Sequence, residues 1–467
     1  MKKTDVIFLN DACSGKLLGN QSAVICDVKI DSREAASGDM FVCIAGENND
    51  GHNFAGSAYD NGCRVFLMSD ESVSSDMISM HDDATVILVE NTIKALEKMA
   101  KAYLAKLNVH RIGVTGSVGK TTTKKLCAAV LSQKFNTVCT KKNLNTDIGL
   151  CLTAFSADDD TEAIVFEMGM DDKGQIKEYV SFIEPEAAVI TNIGVSHMER
   201  LGSRDAIADA KLEIVSEFKD NNVLIVNAES DYLQSEEEIR DRAINESNYK
   251  IVLCGKDIVL SDVESLGENG VDFVIKTEKE SEQFHIPLIG AHNAVDALLA
   301  SALGLEFGIS LSEAAVGIKN VESTDRRLNV EKINGITLID DSYNASPDSM
   351  KAGLAALSGF SGRKIAVLGD MYELGDAEES GHIEVGKTAA DNGVNYLVAV
   401  GMNRRLYGYG VGLSNTAVCN VIELENKESA MEFIKNFVKD GDVVLVKGSN
   451  STKISEVANY IRNMENE

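Results

Sequence analysis

The sequence predicts an α/β protein of three domains: a small N-terminal α/β unit over residues 1–108, a central, mostly parallel sheet of the P-loop type over 109–328, and a C-terminal Rossmann-like sheet over 329–467. Three observations predict it. Short continuous apolar runs recur along the chain, separated by stretches with helical spacing, and such alternation builds parallel sheets covered on both faces. One run leads into a glycine turn that opens a helix, Val114-Thr-Gly-Ser-Val-Gly-Lys-Thr121, which is the setting a phosphate loop needs. The length of 467 residues suits two to four domains at about 100–200 residues each.

In the N-terminal unit, Val6–Leu9, Phe41–Ile44, Val65–Met68 and Val86–Val89 read as strands. A helix is expected over Thr92–Leu107, where Ile93, Leu96, Met99, Tyr103, Leu104 and Leu107 recur at helical spacing. The central segment opens with the strand before the glycine turn and a helix over Thr121–Ser132. Strands follow at Ala163–Phe166, Ala187–Thr191 and Val223–Val226, and a strand-rich stretch over 250–287 reads as an accessory sheet. In the last segment, strands are expected at Thr337–Ile339, Lys364–Leu368, Tyr396–Val400 and Val443–Val446, with helices such as Ser380–Asp391 and Glu428–Val438 between them. No internal repeat is evident.

Bulk composition narrows the function classes. The chain is 44% hydrophobic and 25% charged, ordinary for a globular protein. Its net charge of −28, without a cluster of Lys and Arg, argues against a nucleic-acid groove. Nine cysteines, none in a C-x-x-C pair and several inside apolar runs, fit buried thiols in a reducing cytoplasm. Neither a signal-peptide core nor a run of about 20 apolar residues is seen, so a cytoplasmic protein without membrane insertion is expected, working as a monomer.

The phosphate loop carries the strongest local chemistry. Gly116 and Gly119 let backbone N–H groups converge on phosphate oxygens, Lys120 adds a point charge, and the helix start adds a partial positive field. Thr115, Ser117 and Thr122 flank the site, and Thr121 is placed to ligate Mg²⁺. The spacing is not the usual one, since five residues separate Gly113 from Gly119. A tight strand–helix turn that happens to hold a lysine is the plainer alternative, and the loop alone names no reaction.

Further blocks add to this loop. Glu167-Met-Gly, Thr191-Asn-Ile-Gly with Ser196-His197, Ala210-Lys211, Gly290-Ala-His-Asn293, Arg327 and Asp340-Asp-Ser-Tyr-Asn-Ala-Ser-Pro347 follow in order. Together they resemble the Mur ligase family and, more distantly, folylpolyglutamate synthetases. Asp341-Ser-Tyr-Asn-Ala-Ser-Pro347 and Leu368-Gly-Asp-Met-Tyr-Glu-Leu-Gly375 resemble the branch that adds D-alanyl-D-alanine to UDP-N-acetylmuramoyl-tripeptide. The stretch from Asp31-Ser-Arg33 to Asp50-Gly-His52 resembles its UDP-sugar domain. Asp296 stands where the family has a second Asn. Arg326-Arg-Leu328 stands for its G-R-L, and Lys447-Gly-Ser-Asn-Ser-Thr-Lys453 for its K-G-S-R-G-M-K tail.

The resemblance implies an ATP-dependent amide ligase that passes through an acyl phosphate. It implies Lys120 and Arg327 at the phosphates, and Thr121, Glu167, His197 and a carbamylated Lys211 at Mg²⁺. Asn293 would meet adenine, and Asp341 the ribose. Asn145, Thr146, Tyr343 and Asn344 would meet the acceptor substrates, and Ser32, Arg33, Asn48, Asp50 and His52 the uridine–diphosphate end. Each has a blander reading: a helix-capping Glu167, a structural His197, a solvated Lys211, a helix start at Ser346-Pro347 and a turn at Asn48–His52. Three rival functions stay open: another amide ligase of the superfamily, an inactive nucleotide-binding relative, and a kinase that keeps the phosphate on its product.

Overall fold

A computed structural model describes residues 1–46, 49–415 and 419–464. The N-terminal sheet has five strands in the order Lys16–Gly19, Thr85–Leu88, Val65–Met68, Asp39–Val42, Asp27–Lys29, and only the first pair is antiparallel. Val6–Leu9, expected as a strand, instead lies within the helix Val6–Cys13. Capping decides it. The Asp5 carboxylate accepts the N–H of Ile7 at 2.7 Å, Ser14 ends the helix with φ 58°, and Val6, Leu9 and Cys13 bury one helical face. A four-residue apolar run fits either periodicity, so its flanks settle the matter.

The central sheet has six parallel strands in the order Lys250–Cys254, Val223–Asn227, Ala187–Ile190, His110–Thr115, Ala163–Glu167, Thr137–Cys139. The stretch 250–287 therefore divides. Its first strand joins the main sheet, and only Val259–Ser265, Val271–Lys276 and Ser281–Ile286 form a separate antiparallel sheet. The pattern explains the split: Val271, Phe273 and Ile275 are buried while Asp272, Val274 and Lys276 are less so, the mark of a sheet covered on one face. Helix Thr92–Lys106 joins the N-terminal and central cores, since the Tyr103 ring packs tilted against Phe155, centroids 5.3 Å apart, and its hydroxyl donates to the Ala157 carbonyl at 2.6 Å.

The C-terminal sheet runs Asn329–Ile333, Ile336–Asp341, Asp442–Lys447, Arg363–Leu368, Tyr396–Val400, Asn420–Leu424, parallel except at its first pair. Helix Arg404–Gly412 has no counterpart among the sequence expectations, because three glycines in nine residues disfavour a helix. Packing overrides propensity here. A Cβ on Gly410 would lie 2.0 Å from the Ile383 carbonyl oxygen, and one on Gly386 2.1 Å from that of Tyr407, so the backbones of this helix and Glu378–Asp391 touch. The central and C-terminal sheets both turn their carboxyl ends toward one cleft, where ligands gather in open α/β sheets.

Candidate active site

The cleft encloses about 740 Å³. Its floor is the loop after strand His110–Thr115. Gly116 (φ 150°) leaves no room for a side chain, because a Cβ would sit 1.8 Å from Thr191 Oγ1. Gly119 (φ 85°) caps helix Lys120–Leu131 in the left-handed region. Asn192 props the loop from below: its Oδ1 accepts the N–H groups of Ser117 and Val118 at 3.1 and 2.9 Å, and Ser117 Oγ accepts the N–H of Gly194 at 2.8 Å. Lys120 curls over the loop, donating to the carbonyls of Gly116 and Ser117 at 2.7 and 3.1 Å. Burial lowers its pKa to about 8, against the pull of Glu167. Thr122 lines the cleft, whereas Thr115 is spent on the fold, donating to the Met168 carbonyl at 3.0 Å.

Glu167, at the end of strand Ala163–Glu167, is 1% exposed. It accepts from Thr121 Oγ1 at 2.9 and 3.0 Å, Lys124 Nζ at 3.1 Å and Asn145 Nδ2 at 3.2 Å. Burial raises its pKa, but Lys124, Arg327 and Lys120 outweigh burial and hold it below the usual carboxylate range. Lys124, fully buried and one turn beyond Lys120, is a site residue that sequence reasoning missed. A lysine four residues on looks like any exposed helix lysine.

His197 (φ 64°) lines the cleft with Nδ1 3.0 Å from Glu373 Oε2 and 3.4 Å from Asp171 Oδ1. Burial, then Lys120 and Lys211, lower its pKa to about 4, so the ring is neutral at pH 7. Lys211, on helix Arg204–Leu212, is 1% exposed and forms no side-chain hydrogen bond or ion pair among the described residues. Burial, then Lys120, drive its pKa well below the ordinary lysine value.

The far wall belongs to helix His292–Glu306, the linker 321–328 and the C-terminal sheet. Asn293 donates to the Ile289 carbonyl at 2.8 Å, and Asp296 lies against Gly119 while accepting from Thr123 Oγ1 at 3.0 Å. Lys125 ties the linker to the phosphate-loop helix by donating to the Ser323 carbonyl at 3.2 Å. Arg326 (φ 55°) and Leu328 (φ 50°) take the left-handed conformation on either side of Arg327. The Arg327 guanidinium stands 4.2 Å from the centre of the Tyr343 ring and has no ion pair among the described residues. Asp341 pairs with Lys447 at 2.6 Å, both buried, and accepts the N–H of Leu328 at 3.2 Å. Asn145, Thr146, Tyr343 and Asn344 also line the cleft.

The N-terminal candidates lie away from this cleft. Arg33, largely exposed, pairs with Asp31 at 2.5 Å, and the Ser32 carbonyl accepts from Asn61. Asp50 accepts the backbone N–H of His52 at 2.9 Å and meets its Nδ1 at 2.6 Å. Nε2 of His52 accepts the N–H groups of Ser69 and Asp70 at 2.9 and 3.2 Å, so one ring nitrogen serves its own loop and the other the segment after strand Val65–Met68. Asn48 lies outside the described residues. All nine cysteines are free thiols, and no helix among the described residues is long and apolar enough to cross a membrane.

Comparison with known proteins agrees over the whole chain. Residues 25–104 match the Mur ligase family catalytic domain, 114–304 the Mur ligase middle domain, and 326–450 the Mur ligase glutamate ligase domain. The UDP-N-acetylmuramoyl-tripeptide–D-alanyl-D-alanine ligase of Bacillus subtilis is 38% identical over 94% of this chain and 93% of its own. That of Escherichia coli is 30% identical over 97% of each. A crystal structure of MurF from Acinetobacter baumannii superposes with a TM-score of 0.87 at 28% identity, over 99% of this chain and 100% of its own. The ADP complex of the Thermotoga maritima MurF ligase gives 0.78 at 25% identity, over 93% and 97%. With the phosphate loop, the neutral histidine and the linker arginine gathered at one cleft, the chain belongs to the Mur ligase family.

Proposed function

We propose that this protein joins D-alanyl-D-alanine to UDP-N-acetylmuramoyl-tripeptide with hydrolysis of ATP to ADP and phosphate, as in cytoplasmic peptidoglycan synthesis. The observation that carries it is the cleft, where a phosphate loop faces a linker arginine with no ion pair among the described residues. A carboxylate oxygen of the tripeptide attacks the γ-phosphorus, and ADP leaves. The dipeptide amine, having lost a proton, then attacks the acyl carbon, and inorganic phosphate leaves.

The first step sets two anions face to face, so it needs fixed positive charge. Lys120, whose ammonium caps the loop, and Arg327, whose fork suits phosphate oxygens, supply it. Asn293 and Asp341 take the adenine and ribose, and the Asn145–Thr146 and Tyr343–Asn344 pairs orient the acceptors. Ser32, Arg33, Asn48, Asp50 and His52 mark the uridine–diphosphate end, with His52 acting through the shape of its loop.

Thr121 and Glu167 fit magnesium: both are buried oxygen donors within 3.0 Å of each other. Its other ligands would come from phosphate oxygens. A carbamylated Lys211 with His197 fits a second ion, and burial with no side-chain partner among the described residues favours the uncharged amine that carbamylation requires. Magnesium, when bound, neutralises charge between phosphoryl and carboxylate oxygens.

The test is phosphate release with mass detection of the product, given ATP, Mg²⁺, D-alanyl-D-alanine and either a lysine- or a diaminopimelate-type tripeptide. Release that needs both substrates and yields the UDP-muramoyl pentapeptide is expected with one tripeptide. Turnover with neither, while ATP still binds, refutes the substrate assignment and leaves the family standing.

A further inference from the structure

We infer that Lys447 is a positioning residue: it holds the Asp341–Asn344 turn, and through that turn it aims Arg327 into the cleft. The inference rests on Arg327 acting at the phosphates, as proposed above.

Lys447 ends strand Asp442–Lys447, an interior strand of the C-terminal sheet, where its Cα partner is Asp341. It is 3% exposed. Its ammonium meets Asp341 Oδ2 at 2.6 Å and donates to the Asn344 carbonyl at 3.0 Å, gripping the turn at both ends. The turn in turn grips the linker. Asp341 Oδ1 accepts the N–H of Leu328 at 3.2 Å, and the N–H of Tyr343 donates to the Arg326 carbonyl at 3.1 Å. The Tyr343 ring then lies under the Arg327 guanidinium at 4.2 Å.

Two physical points favour positioning over mere stability. A buried Lys–Asp pair is weak as a source of stability, because desolvation offsets most of its attraction and an apolar pair of similar volume does as well. The linker also holds Arg326 and Leu328 at positive φ, conformations that cost about 1–3 kcal/mol each and persist only where neighbours enforce them. From the C-terminal side, the pairing of Asn329 with Asp340 anchors the end of the linker, while the turn's two hydrogen bonds and the ring contact bear on Arg326, Arg327 and Leu328 themselves, and Lys447 fixes the turn. Its ammonium is already matched to a carboxylate and a carbonyl, so it adds little free positive charge to the cleft.

The experiment is a double-mutant cycle on kcat at saturating ATP, tripeptide and dipeptide, with the parent, Lys447→Met, Arg327→Ala and the double variant. Circular dichroism checks folding. Lys447→Met is expected to lower kcat about 100-fold, the scale of a misplaced catalytic group. Combined with Arg327→Ala, it is expected to add less than about 3-fold, because both remove the same interaction. Should Lys447→Met fail to fold, Lys447→Gln, which keeps a donor to the turn without the charge, enters the same cycle. Losses that multiply in full overturn the inference while leaving Arg327 at the phosphates. An Arg327→Ala enzyme with parental kcat overturns that reading and the inference with it.

Discussion

Asp296→Asn tests the electrostatics of the cleft wall. The parent carboxyl is 7% exposed, accepts one hydrogen bond, from Thr123, and has no ion pair among the described residues. Burial raises its pKa from an ordinary 3.8 to about 7. The unfolded chain therefore ionises this group near 3.8, while the folded chain keeps it protonated to about 7, and folding between those values takes up a proton. The penalty is absent below the unfolded pKa and grows by about 1.4 kcal/mol for each pH step above it. It amounts to about 2 kcal/mol at pH 5 and levels off near about 4 kcal/mol above pH 7. Asparagine keeps the shape and the acceptor for Thr123 and carries no titrating charge. Thermal melting without nucleotide is expected to show Asp296→Asn more stable than the parent, by about 2 kcal/mol more at pH 8 than at pH 5. For a unit of this size that difference is roughly 4–8 °C. An equal advantage at both pH values would refute the reasoning, since no proton would then separate the two states.

Three further outcomes are expected. Lys124→Met strands the Glu167 carboxylate in the interior and is expected to destabilise the protein by about 3–5 kcal/mol in thermal melting, with Glu167→Gln added to it restoring most of the loss. Lys120→Ala is expected to lower phosphate release by about 100–1,000-fold with the fold intact by circular dichroism, and a fall under 10-fold would remove it from the phosphates. Gly386→Ala drives a methyl group into the Tyr407 carbonyl and is expected to cost about 1–3 kcal/mol, whereas an unchanged melting temperature would mean that the two helices separate freely.

What the sequence made legible follows the range of each interaction. The phosphate loop is read from adjacent residues, because glycine, lysine and threonine do their work within one turn. The parallel strands are equally plain, since burial on both faces leaves unbroken apolar runs. Val6–Leu9 misleads because its capping aspartate outvotes an ambiguous run. Lys124 goes unread for another reason, and Lys447 is read only as the start of the tail block, not as the buried partner of Asp341. Each owes its role to a carboxylate 43 or 106 residues away, and nothing nearby marks either as buried. The departures at Arg326 and Asp296 show in the sequence, but the left-handed backbone and the raised pKa need the packed neighbours to be known.

The linker sets heat tolerance against turnover. Glycine adopts positive φ freely, so Arg326→Gly relieves backbone strain at that position. The same change lets the strap between the sheets wander, and Arg327 with it. A population of variants screened only for survival at high temperature would enrich glycine here and accumulate well-folded, slow enzymes. A screen that demands product would keep the strained side chain.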